Sequence, residues 1–222
     1  MANPITNVAA GDEQHLLFLF VPLKKGKSAA AAKEVEHLKS TIKAHAEAVD
    51  PRAATGVHFF MIYHQADGQA TPGIPVPGFQ SFPGKDVLVV MSLYDNDFAP
   101  YISAFFTIPA VVAGLTNLLH IMDESGIPGL NPNDPSTAVN ILKNGGVVKN
   151  ASAFYCLLMR YNFADPTYPA GSSAPGKYVL GATFPGLTVG KILNNYPDAK
   201  ELWPFPPVAI NFQKSTAPKC GK

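Results

Sequence analysis

Three short runs, HLLFLFVP (15–22), VHFFMIYH (57–64) and DVLVVMSLYD (86–95), are oily at odd and even positions alike. Side chains alternate between the faces of a strand, so a run that is apolar at both parities needs cover on both sides. A sheet with one wet face does not suit these runs. Helices, another part of the chain, a partner subunit or a ligand must lie over each side.

What separates the runs sets their order. After the first, Lys24-Lys25-Gly26-Lys27 is a polar turn. Ser28 then stands at the start of a helical pattern that reaches about Asp50. Its Val35, Leu38, Ile42 and Val49 share one face, with Lys33, Glu34, Glu36, Lys39, Lys43 and Glu47 mostly elsewhere. Pro51 ends it. Between the second and third runs, TPGIPVPGFQSFPG (71–84) holds four prolines and three glycines. That composition supports neither a helix nor a central strand, so it is an extended loop.

Beyond the third run, Asp97 is placed to cap a helix that begins around Pro100 and Tyr101. Pro109 opens a second helical piece to about Met122, striped by Val112, Leu115 and Leu119. Gly126, Pro128, Gly129 and Pro132 mark a loop. AFYCLLMRYNF (153–163) reads as a fourth strand and Lys177 to Phe184 as a weaker one. Short helices over Thr188 to about Asn195 and over Asp198 to Trp203 precede a last strand, Val208 to Phe212.

The resulting order is β-α-β-β-α-β followed by β-α-β. It predicts an α+β fold: a ferredoxin-like βαββαβ antiparallel sheet extended by a C-terminal βαβ piece. The whole chain, 1–222, is then a single domain, with 15–163 as the ferredoxin-like unit and 164–222 as an extension packed on it.

Composition narrows the function classes. Hydrophobic residues make up 47% and charged residues 15%, enough for a sizeable core. The net charge is +1 and no basic run of five appears, which argues against a nucleic-acid partner. The oily stretch from Phe98 to Met122 is broken by Pro100 and Pro109, so no membrane span is expected. The first residues, MANPITNVAAGDEQ, lack the features of a secretory signal, and the expectation is a soluble, cytoplasmic protein. Of the two cysteines, Cys156 lies in an apolar run and reads as a buried free thiol, while Cys220 is near the C-terminus. A Cys156–Cys220 disulfide is the alternative.

FVPLKKGK, GVHFFMIYH, LVVMSLYDNDFAPYISAFF and LLHIMDESGIPG together carry a resemblance over about residues 15–130. The chain resembles the ferredoxin-like α/β-barrel superfamily, whose members include dimeric α/β-barrel bacterial proteins, dye-decolourising peroxidases, chlorite dismutase-like haem proteins and cofactor-free monooxygenases. The resemblance implies a cavity beside the sheet that holds haem or an apolar substrate. Two departures stand out. His64-Gln65-Ala66-Asp67-Gly68 is nearest to the peroxidases' Gly-x-x-Asp-Gly motif but lacks its first Gly, and Met61 stands where the related His-Phe strand often carries Arg.

Candidate site residues each admit two readings. His58 and His64 are six apart on one strand, roughly 20 Å, too far to share a metal ion. They mark either two ends of one cavity or two hydrogen-bonded strand ends. Asp95 and Asp97 suit acid–base work or, more plainly, the capping of a strand-to-helix junction. Arg160 either contacts an anionic group such as a haem propionate or pairs with Asp95, Asp97 or Asp165. His120 is either a haem ligand or an imidazole at a helix C-terminus. Gly26-Lys27-Ser28 lacks the upstream glycine of a phosphate loop, since Val21 stands there.

The function expected on these grounds is binding of an apolar or haem-like small molecule beside the sheet, with peroxidase-like oxidoreductase chemistry open to it. In that reading His58, Asp95 and Arg160 are the catalytic candidates. His58, His64, His120 and Arg160 are the candidates for holding a cofactor, and no metal site is expected. One alternative is a non-catalytic homodimer that pairs through its apolar sheet face. Another is a cofactor-free monooxygenase or isomerase with His58 or an Asp as base.

Overall fold

The oily runs pair with one another as strands, and the Ser28 and Pro109 patterns form the helices that cover one side. The computed structural model describes residues 14–46, 57–67, 85–95, 102, 105–127, 129–162 and 220. In chain order the elements are β1 (Gln14–Pro22), α1 (Ser28–Ala46), β2 (Val57–Gln65), β3 (Val87–Asp95), α2 (Pro109–Ile121), α3 (Ala138–Lys143), α4 (Gly146–Lys149) and α5 (Ala151–Met159). The fold is mixed α and β. The loop at 71–84, the cap at Asp97, the strands at 177–184 and 208–212 and the helices at 188–195 and 198–203 lie outside the described residues.

The sheet has the order β1-β3-β2, and both pairings are antiparallel. β1 and β2 therefore run parallel with β3 between them, and α1 supplies the long crossover such an arrangement needs. The register sets three rows across the strands: Leu17–Ser92–Phe60, Leu19–Val90–Ile62 and Val21–Leu88–His64. These rows form the inner face. Leu17, Leu19, Val21, Leu88 and Val90 are buried there, in one core with residues of α2 and α5. On the outer face Phe18, Phe20, Met61, Tyr63 and Met91 are half-buried, and Phe59 is 44% exposed. The register slips at His58: Val57 stands opposite Tyr94 and Phe59 opposite Leu93. A bulge thus interrupts the strict alternation expected along 57–64.

Local chemistry sets where the helices begin. Gly26 takes φ +76°, which opens the turn before α1. The Ala31 N–H donates to Lys27 O at 2.9 Å. Pro109 opens α2, as the pattern predicts, after an extended Ile108. The end of α2 is fastened to the end of β1: Lys24 N–H donates to Ile121 O at 2.8 Å and Asp123 N–H to Pro22 O at 2.7 Å.

The expected strand at 153–163 is corrected: α5 occupies most of it. An apolar run of this length fits a buried helix as well as a strand by pattern alone, and its aromatics tip the balance wrongly. Ala151, Phe154 and Leu158 fall at i, i+3 and i+7, so one helical stripe goes into the core. Beyond the helix, Tyr161 and Asn162 bond to the sheet edge. Phe20 N–H donates to Tyr161 O at 3.1 Å, Phe18 N–H donates to Asn162 Oδ1 at 3.0 Å, and Leu19 and Asn162 form an isolated antiparallel bridge. The helices α3 and α4 fall where the sequence suggests no element. Thr137 caps α3 by accepting from Asn140 N–H at 3.2 Å.

Cys156 is no free thiol: on α5 it is disulfide-bonded to Cys220. Among the described residues, no helix is long and apolar enough to cross a membrane.

Candidate functional site

Between the inner sheet face and the two covering helices lies a cavity of about 100 Å³. Its floor is the central part of the three rows: Leu17, Leu19, Phe60, Ile62, Leu88 and Val90. Its roof comes from α1 through Val35, Leu38 and Thr41, and from α2 through Val111, Leu115 and Leu118. Phe60 and Phe105 close one wall with their ring centroids 5.9 Å apart. Phe154 and Leu158 of α5 also reach it.

The helices meet closely at one point. A Cβ on Gly114 would stand 3.2 Å from Leu38 Cδ2, so the missing side chain lets α2 approach α1. One turn further along α2, Asn117 Nδ2 donates to Glu34 Oε1 of α1 at 2.9 Å and ties the helices together.

Glu34 and Thr41 are the polar side chains in the lining among the described residues, and Ser92 is a buried polar group beside it. Glu34 lines the cavity, and its second carboxylate oxygen, Oε2, is buried with no hydrogen-bond partner among the described residues. Ser92 is 0% exposed in the middle of the central strand, and its Oγ likewise has no partner. Its row neighbours Leu17 and Phe60, and Val90 two positions along β3, all line the cavity. A buried polar atom left without a partner costs about 1–3 kcal/mol, and more when charged.

Of the residues singled out from the sequence, His58, His64, His120 and Arg160 are not among those lining the cavity. His58 is the extra residue of the β2 bulge and does not line the cavity. His64 sits at the far end of β2, where its Nε2 is hydrogen-bonded to Ser28 Oγ at 3.2 Å. Ser28 thus tethers the helix start to the strand end. His120 is exposed at the end of α2, and its carbonyl accepts from Lys24 Nζ at 2.9 Å. Asp95 closes β3 opposite Gln14, with its side chain outside the described residues, as is Asp97 altogether.

Arg160 follows α5 and is ion-paired, but with Asp134 at 2.5 Å rather than with Asp95, Asp97 or Asp165. It also donates to Ser136 Oγ at 2.6 Å and to Ser136 O at 2.8 Å. Burial pushes the Asp134 carboxyl up, but hydrogen bonds from Ser136 and the Arg160 guanidinium outweigh it and hold the group below its ordinary value. Nearby, burial pushes Glu124 up, against a 2.9 Å hydrogen bond from the Ala138 N–H. This cluster fastens the loop before α3 to the end of α5. It belongs to the scaffold and is separate from the cavity lining.

Neither His58 nor Arg160 is among the residues lining the cavity, and the Asp95 side chain lies outside the described residues. The sequence pattern instead passes over Glu34, Ser92 and Gly114. The one usable signal was Ser92, a lone hydroxyl at an inner position of an oily strand. Glu34 looks like part of a solvated helix face, and only the packing of α2 turns it inward.

A haem does not fit this cavity. Pockets for drug-sized ligands run to about 300–1,000 Å³, and no histidine is among the residues lining this one. No cluster of three or more His, Cys, Asp or Glu able to hold a metal ion occurs among the described residues. Comparison with protein-family models, curated proteins and solved structures gave no match.

Proposed function

We propose that the protein binds a small apolar molecule in the cavity between the sheet and helices α1 and α2. The observation that carries this reading is the lining, in which Glu34 and Thr41 alone interrupt apolar side chains among the described residues. A cavity of about 100 Å³ is below the ~150 Å³ of an engineered apolar cavity that takes benzene, so the ligand is small. The test is methyl-resolved NMR under xenon. Xenon is expected to shift methyls of Leu38, Ile62, Val90 and Leu115, and an unchanged spectrum refutes the reading. The haem version has a separate test, since addition of haem to the purified protein without a Soret band rules it out.

The reading draws support from the proposed ferredoxin-like relationship. The order β-α-β-β-α, the β1-β3-β2 arrangement and the contact of Asn162 on the other edge of β1 suit a sheet whose fourth strand would lie beside β1.

A second reading has its own observation. The outer sheet face carries Phe59 at 44% exposure beside half-buried Phe18, Met61 and Met91. A homodimer paired through that face would cover it. Sedimentation equilibrium giving a monomer at all concentrations removes this reading.

A further inference from the structure

Of the buried polar atoms left without a partner among the described residues, Glu34 Oε2 belongs to a residue that lines the cavity and Ser92 Oγ lies beside its floor. Glu34 is held by Asn117 through Oε1, so its carboxylate is tied across the roof. Its Oε2 is buried and has no partner among the described residues. The torsion that turns a glutamate carboxylate is broad and soft, so a small rotation presents Oε2 to an occupant. On the sheet side Ser92 is fully buried beside the floor residues Leu17 and Phe60, and its hydroxyl has no partner among the described residues, but it does not itself line the cavity. A hydrocarbon would satisfy neither atom. An anionic head would meet a carboxylate of its own sign in a site poor in counter-charge.

We propose that the cavity selects a small molecule with an apolar body and one hydrogen-bond-donating head, an alcohol or an amine, received by Glu34. The proposal rests on the reading of the cavity as a binding site and adds the chemical class of its ligand. Scaled from benzene in ~150 Å³, the body holds about four or five non-hydrogen atoms. Glu34, the lining carboxylate, accepts the head's hydrogen bond.

The test is a set of methyl-resolved NMR titrations of the full chain with butan-1-ol, butylamine, butyrate and xenon. Butan-1-ol or butylamine is expected to bind at least tenfold more tightly than butyrate. Glu34→Leu should weaken that binding at least tenfold more than it changes the binding of xenon. Glu34→Gln separates the two heads: it keeps a hydrogen-bond acceptor for the alcohol but removes the charge that holds an ammonium. Should the leucine variant fail to fold, the discrimination against butyrate by the unaltered protein decides alone. Xenon binding with equal affinities for alcohol, amine and butyrate overturns this proposal and leaves the binding site standing. So does an alcohol or amine affinity that Glu34→Leu leaves unchanged. No response to xenon, alcohol or amine overturns both.

Discussion

Lys85 and Asp123 show how far one contact can shift a titration. Lys85 Nζ donates to Asp123 Oδ2 at 2.7 Å, and this bond, with those from Ser125, outweighs burial and holds the carboxyl at about 2. A carboxyl depressed by folding contributes stability above its unfolded value near 4, and that stability is lost as pH falls toward 2. Lys85 is 44% exposed on its side chain, so solvent screening limits the contribution to about 1 kcal/mol. Acid titration of Lys85→Met is expected to flatten the stability loss between about pH 4 and pH 2 relative to the parent. Glu124 works the other way: burial raises it, so its contribution weakens folding as pH rises past its ordinary range. Arg160→Met should cost about 1–2 kcal/mol in urea unfolding, because Asp134 keeps only Ser136. Xenon binding should be unchanged, and a lost response would place Arg160 in the site after all.

At the scale of elements, the helix contact at Gly114 couples packing to the cavity. Replacing a helical glycine by alanine ordinarily stabilises by about 0.5–1 kcal/mol. Here the new methyl would press on Leu38 Cδ2 at 3.2 Å, and Leu38 has the cavity on its other side to move into. Gly114→Ala is therefore expected to leave the melting temperature level or raised and to weaken xenon binding. A clear drop in stability would mean that Leu38 cannot yield. The element most misjudged from sequence is α5. Its residues Phe154, Tyr155 and Cys156 suit a strand, yet Asn150 donates through Nδ2 to Gly146 O at 2.8 Å and Asn144 O at 3.0 Å, knitting α4 to its start. Capping chemistry of this kind joins residues across two elements, and a run-by-run reading does not see it. The strands and the starts of α1 and α2 were legible because Pro, Gly and hydrophobic periodicity act locally.

The whole chain is drawn together by contacts between distant residues. The Cys156–Cys220 disulfide spans a separation of 64 and ties the C-terminal end to α5. Loop-closure entropy at that length gives about 4 kcal/mol, so Cys220→Ser should lower unfolding stability by up to that amount under oxidising conditions, and the difference should vanish when the parent is reduced. Such bonds persist mainly in oxidising compartments, so the redox state of this pair in the cell bears on the compartment. Mass spectrometry of protein taken from its native source, alkylated before reduction, would show two free thiols if the cytoplasmic expectation holds.

Sequence alone determined the oily two-sided strands, the order of the first five elements and the helix starts at Ser28 and Pro109, because these follow from short-range pattern and steric rules. It also raised the need for cover on both sheet faces. Tertiary structure decided what lies over the inner face: α1 and α2, with a small cavity beneath them. It also decided that Glu34, and none of the described histidines, lines that cavity. The reason is geometric. A histidine in an oily run is conspicuous by type, whereas the environment of a helix-surface glutamate depends on the neighbour that packs against it, and Gly114 lets that neighbour come close.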